Sequence, residues 1–257
     1  MKKTKIIAVA NQKGGVGKTS TTLNLGYTLS KQGYKILLVD LDPQHNLSNY
    51  LNFKDNGNTL AEVIAEELKG NIVNTPLIQS YSDNLDYIPT NLNLSAIDML
   101  LVQANAREYV LLDVFERYGV FDKYDYIIID CMPALNILLV NALTASHDVI
   151  IPVEASYGAF EGLEQLFGHI EMIKKRLNRT LNIAGIVFTK TNNTNITKEV
   201  RNKLTEKYPN LLFENEIKEL TEARKSYAER IPLSDMKNSR LASDYENLAI
   251  ELIERGE

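Results

Sequence analysis

Ile6-Ile7-Ala8-Val9-Ala10-Asn11-Gln12-Lys13-Gly14-Gly15-Val16-Gly17-Lys18-Thr19-Ser20 is the stretch from which the fold of this chain is read. Its first five residues are apolar and partly β-branched, the pattern of a strand buried on both faces. Glycines at 14, 15 and 17 then let the backbone turn sharply and approach a ligand closely. From residue 20 to 32 the pattern becomes helical. A strand, a glycine loop and a helix in this order aim several N–H groups and the positive end of a helix at one point, which makes an anion site.

Short apolar runs recur at residues 36–39, 126–129, 149–151 and 183–189. Helical-length segments lie at 20–32, 135–145, 160–178 and 195–208. Strands alternating with helices predict an α/β fold with a mostly parallel, twisted sheet and helices on both faces. Residues 47–117 are less regular and are expected to hold several helices and one short strand at 85–89. No Pro/Gly/Ser linker or repeat divides the chain, so residues 1–257 read as a single domain. With 44% hydrophobic and 24% charged residues, disordered and collagen-like classes are excluded. One cysteine, Cys131, excludes an intramolecular disulfide framework and fits a reducing, cytoplasmic setting. No apolar run approaches the ~18 residues of a membrane span. The basic start Met1-Lys2-Lys3-Thr4-Lys5 leads into an apolar stretch too short for a signal peptide.

Ligands of open parallel sheets sit at the carboxyl ends of the strands, and three such ends carry chemistry here. The first is the glycine loop. The second is Asp40-Leu41-Asp42-Pro43-Gln44, and the third is Asp130-Cys131-Met132-Pro133. The usual P-loop pattern, G-x-x-x-x-G-K-[ST], fails at its first position, where Gln12 stands. What remains is a deviant Walker A form, Lys13-Gly14-Gly15-Val16-Gly17-Lys18-Thr19, with a lysine near its start. The main chain of residues 13–17 would wrap phosphates, Lys18 would neutralise them, Thr19 would ligate Mg²⁺ and Ser20 would reach the α-phosphate. This is the fold expected of a P-loop NTPase.

Together these motifs resemble the ParA/Soj branch of the deviant Walker A ATPases, relatives of MinD, over almost the whole chain. The resemblance extends to Asn141-Ala142-Leu143-Thr144-Ala145-Ser146. It implies an ATP-dependent homodimer with two ATP molecules between the subunits, in which Lys13 reaches the partner's phosphates. It implies that Asp42 orients or activates the attacking water, and that Asp130 reaches the metal through water. Asp40, two residues before Asp42 on the same side of an extended chain, could support Mg²⁺ in the same way. Lys13, Lys18 and Asp42 are thus the expected catalytic residues, with slow turnover, since Asp42 is the one candidate base. For the adenine, the resemblance points to residues 189–193 and a later loop at 213–221. Asn192 or Asn193 could read the base, although loop asparagines also serve as turn formers.

The resemblance implies sequence-independent duplex DNA binding in plasmid or chromosome partition, with a ParB-like partner stimulating hydrolysis. A net charge of −5 requires a local basic patch for that. Candidates are Lys198, Arg201, Lys203 and Lys207 on one helix, and Arg224 and Lys225 further on. Lys174, Lys175, Arg176 and Arg179 form another group, and Arg230 lies near Arg224. The same pattern also fits a solvated helix. The late loop, Glu214-Asn215-Glu216-Ile217-Lys218-Glu219-Leu220-Thr221-Glu222-Ala223, carries acids where the family commonly has arginines. An alternative is a MinD-like or cargo-positioning ATPase acting through a protein or membrane surface. Membrane binding needs a basic amphipathic tail, whereas residues 241–257 carry Asp244, Glu246, Glu251, Glu254 and Glu257 against Arg255; Leu248, Ile250, Leu252 and Ile253 are expected to pack on the sheet. A nitrogenase-type reductase needs four thiolates per dimer, and one cysteine per chain supplies two. His45 stands where glycine is frequent in the family and reads as a helix-entry residue.

Overall fold

The computed structural model describes residues 4–71, 75–156, 158–192 and 194–256. Four runs buried almost throughout form the middle of one sheet: β1 (Lys5–Val9), β2 (Ile36–Leu41), β5 (Tyr126–Cys131) and β6 (Asp148–Glu154). β7 (Asn182–Thr189) and β4 (Leu85–Ile88) extend it on either side, and β3 (Gln79–Ser82) closes one edge. The order is β3-β4-β2-β5-β1-β6-β7. All pairings are parallel except β3 with β4. Because β2 and β6 lie on opposite sides of β1, the chain reverses direction of winding there. The carboxyl end of β1 therefore opens into the crevice where such sheets bind ligands.

The pleat alternates side chains between two cores. Ile6, Ala8, Leu37, Val39, Ile127 and Ile129 face a layer made by α3 (Leu60–Leu68), α4 (Leu94–Leu101), α5 (Val110–Arg117), α6 (Ile137–Ala145), α7 (Ala159–Arg176) and α8 (Asn195–Lys207). Ile7, Val9, Ile36, Leu38 and Ile128 face α1 (Lys18–Lys31), α2 (Asn46–Tyr50) and α10 (Arg240–Gly256). α9 (Thr221–Glu229) lies at the rim of that second layer, its Ala223 half-buried against it.

α1 is rich in Ser and Thr, which are middling helix formers, and packing holds it: nearly every residue from Thr21 to Ser30 is buried. It ends in a Schellman turn, in which Tyr34 N–H reaches the Leu29 carbonyl and Gly33 takes φ 93°. Along α10, Leu248 and Leu252 pack inward as expected, whereas Ile250 is exposed. The short edge strand β3 was not expected, because Gln79-Ser80-Tyr81-Ser82 has a polar, half-exposed face. No helix among the described residues is long and apolar enough to cross a membrane.

Candidate active site

The glycine loop stands at the head of β1. Gly15 and Gly17 have φ of 75° and 89°, left-handed values in which a side chain would be strained. The Val16 side chain is buried beneath the loop, so its main chain alone is left for a ligand. Thr189 Oγ1 donates to the Val16 carbonyl at 2.7 Å and ties the end of β7 to the loop. Lys18 is 7% exposed, and its Nζ donates to the Lys13 carbonyl at 3.1 Å. Burial lowers its pKa, while the nearby carboxylates of Asp130 and Asp42 oppose that shift. An anion entering the loop would relieve the same desolvation.

A cavity of about 540 Å³ opens over this loop. Gly14, Gly15, Gly17, Lys18, Thr19, Ser20 and Asp42, the residues expected around the phosphates, line part of it. Thr189, Lys190, Ile217 and Lys218 line another part, in the two segments expected at the base, and Tyr245 of α10 adds an apolar wall. Gln44 and Pro133 close the two acidic strand-end motifs, whereas Tyr245, far along the chain on α10, was not expected, since nothing in its local spacing marks it.

The three acids differ in what holds them. Asp42 lines the cavity; its Oδ1 accepts from Gln44 N–H at 2.9 Å, and its Oδ2 takes no hydrogen bond among the described residues. Asp40, expected on the metal side, is turned inward instead. Its Oδ2 accepts from Ser48 N–H at 2.8 Å and Ser48 Oγ at 2.7 Å, and its Oδ1 faces Asp42 N–H at 3.3 Å. Both oxygens are thus engaged in fixing the turn that carries Asp42. Burial raises the Asp40 pKa to about 6 despite the Ser48 hydrogen bonds. Asp130 is fully buried at the end of β5, and neither of its oxygens has a hydrogen-bond partner among the described residues. Burial, with Asp40 next to it, raises its pKa well above the usual carboxylate range, against the pull of Thr19 and Lys18. A buried carboxyl left without a donor is costly, and a cation or cation-bound water beside Thr19 is the partner its chemistry calls for. Thr19 and Asp130 therefore fit a hard divalent ion.

Other expected residues are placed elsewhere. Lys13 Nζ donates to Ser156 Oγ at 2.9 Å within its own chain. Asn192 does not reach the cavity: its Oδ1 accepts from the hydroxyls of Thr194 and Thr197, both at 2.8 Å, at the start of α8. Asn193 lies outside the described residues. His45 has φ 44° and precedes α2, in agreement with the helix-entry reading. Cys131 is buried, with burial pushing its thiol pKa up. Asn141 fixes α5 to α6, its Oδ1 accepting Leu111 N–H at 3.0 Å.

Four of the six expected DNA contacts already have acidic partners. Arg201 pairs with Glu216, Lys203 with Glu199 at 2.7 Å, Lys207 with Glu164, and Lys225 with Glu229 at 3.8 Å. Lys198 and Arg224 are exposed and take no ion pair among the described residues. They lie on different helices, α8 and α9, so no single helix face gathers the patch.

A glycine loop at the switch point of a parallel sheet, with a buried lysine and acidic strand ends, defines a P-loop NTPase. The model of a family described as an AAA domain matches residues 4–183. The sporulation initiation inhibitor protein Soj of Bacillus subtilis is 38% identical over 260 residues, covering 98% of this chain and 99% of Soj. Among solved structures, a plasmid partition protein from Borrelia burgdorferi superposes with a TM-score of 0.78 at 28% identity, covering 99% of this chain and 100% of that one. Cobyrinic acid a,c-diamide synthase from Mycobacterium smegmatis, with bound ATP analogue and magnesium, gives 0.81 at 29% identity, covering 98% and 96%. The chain belongs to this AAA-domain family, in its ParA/Soj branch.

Proposed function

We propose that this chain is an ATP-dependent dimerising switch that hydrolyses ATP slowly to ADP and phosphate. In its ATP state it holds duplex DNA without reading sequence, in plasmid or chromosome partition within the cytoplasm, and a ParB-like partner stimulates hydrolysis. The observation that carries the reading is the gathering of the glycine loop, the buried Lys18 and Asp42 around one cavity, with Asp130 buried behind it close to Lys18 and Thr19. The ATP analogue and magnesium bound by the Mycobacterium relative, and the partition role of the Borrelia one, support it.

The loop N–H groups and Lys18 bind the triphosphate, and Ser20 reaches its α-phosphate. Thr19 and Asp130 would hold Mg²⁺, which supplies charge neutralisation at the transferring phosphoryl group. Asp42 orients the attacking water through the oxygen not occupied by Gln44 and accepts its proton as the phosphoryl group transfers. Lys13 leaves Ser156 and donates its charge to the partner's phosphates, so that the charge arrives when the dimer closes.

The test is size-exclusion chromatography with ATP. Lys18→Ala abolishes nucleotide binding and stays monomeric. Asp42→Ala binds ATP and accumulates as a dimer, because the water is no longer directed; a monomeric Asp42→Ala protein with ATP bound contradicts the scheme. A second reading, a cargo-positioning ATPase that acts through a protein surface, is favoured by one observation: four of the six candidate basic residues are already ion-paired.

A further inference from the structure

The wall of the cavity at Ile217 and Lys218 is a loop with little structure of its own. On one side it is tied to the end of β7: Thr191 N–H donates to the Ile217 carbonyl at 3.1 Å, and Glu219 N–H to the Thr191 carbonyl at 3.0 Å. On the other side it is held by two carboxylates of α10, seven residues apart and therefore on one face of that helix. Glu251 accepts from Glu214 N–H at 2.8 Å, Asn215 N–H at 3.0 Å and Asn215 Nδ2 at 2.7 Å, and Arg255 closes on it at 2.7 Å. Asp244 accepts from Lys218 N–H at 3.1 Å and from Lys218 Nζ at 3.4 Å. The two residues are 9% and 8% exposed. A carboxylate that deep needs donors, and here the donors are mainly the loop's own amides. Burial pushes the Glu251 carboxyl up, but the amides of Glu214 and Asn215 outweigh it and hold the group below its ordinary range.

We propose that Asp244 and Glu251 are positioning residues for the base-and-sugar end of the nucleotide site, a role that rests on reading this cavity as that site. The phosphate end is shaped by β1, the glycine loop and α1, which the two carboxylates do not touch. One ligand is thus gripped at its two ends by different hydrogen-bonded parts of the chain. The same loop is also tied to α8, where Glu216 pairs with Arg201.

Titration calorimetry with ATP, GTP and inorganic tripolyphosphate, each with Mg²⁺, tests this in the full-length protein. In the Asp244→Ala/Glu251→Ala variant, tripolyphosphate binds as in the parent, ATP binds about tenfold more weakly, the equivalent of roughly one hydrogen bond to a charged group, and the preference for ATP over GTP narrows. A purely structural role would weaken ATP and tripolyphosphate together, and that result, or an unchanged ATP affinity, overturns the proposal. If the parent binds neither ATP nor tripolyphosphate, the nucleotide reading itself falls, and this inference with it. Should the double variant not fold, Asp244→Ala alone, which keeps all the Glu251 hydrogen bonds, carries the same comparison.

Discussion

Asp130 shows how the site stores a demand for positive charge. Its buried carboxyl has Thr19 nearby but accepts no well-formed hydrogen bond among the described residues, and its pKa lies well above the ~3.9 of an unfolded aspartate. The native state therefore holds the proton more tightly than the unfolded state, and stability falls as pH rises from about 4 through the native pKa. Asn at this position has no proton to lose. The nucleotide-free Asp130→Asn protein is expected to gain in melting temperature over the parent, by little at pH 5 and by several °C at pH 8. Thermal denaturation at pH 5, 6.5 and 8 checks this, and a difference that does not change with pH contradicts it. Asp40, titrating near pH 6, adds a slope of the same sign in both proteins. If Asp130 faces the ion as proposed, the Asp130→Asn protein should also lose part of the stabilisation that Mg²⁺ with ATP gives the parent.

At the scale of elements, the central strands were legible because each is a short β-branched run with both faces buried, a pattern with one reading. Edge strand β3 was not, since its polar residues face solvent and only pairing with β4 defines it. Gly185 marks a further feature hidden in the sequence. The register between β6 and β7 shifts beside it, and a Cβ there would lie 2.6 Å from Phe213 Cε2 and 2.9 Å from the Leu211 carbonyl. Phe213 is buried, opens the loop that ends at the cavity wall, and is covered by Arg255 at 4.3 Å from its ring. Gly185→Ala is thus expected to destabilise the protein by about 1–3 kcal/mol through overpacking. Urea denaturation measures this, and a change below about 0.5 kcal/mol would mean that Phe213 and the 211–213 backbone move aside freely. The candidate site divides in the same way. The loop, Lys18 and Asp42 were readable because contiguous residues build them. The Asp40–Ser48 contact and the grip of α10 on the late loop were not, because each joins residues that meet only after folding.

On the proposed function the whole molecule converts a nucleotide state into an affinity for DNA, and its charge bears on how. With a net charge of −5, a single subunit repels DNA at long range, and Lys198 and Arg224 stand on separate helices. Two subunits held together by ATP would present each of these twice on one assembly, and each phosphate contact releases a counterion. Exposed ion pairs contribute only about 0–1 kcal/mol, so pairing does not lock Lys203 or Lys207 away, but a contact by either must first give up its glutamate. The ATP form should therefore retard unrelated duplex DNA in a mobility-shift assay, with log affinity falling linearly against log salt, while the ADP form should not. Lys198→Ala and Arg224→Ala, each lost from both subunits, are expected to reduce the salt slope of the dimer by about two, and Lys203→Ala and Lys207→Ala by less. Equal retardation with ATP and ADP, or retardation insensitive to salt, would remove DNA from the scheme. The output would then be the protein surface of the second reading, for the ion-paired helix α8 would be a solvated face and nothing more.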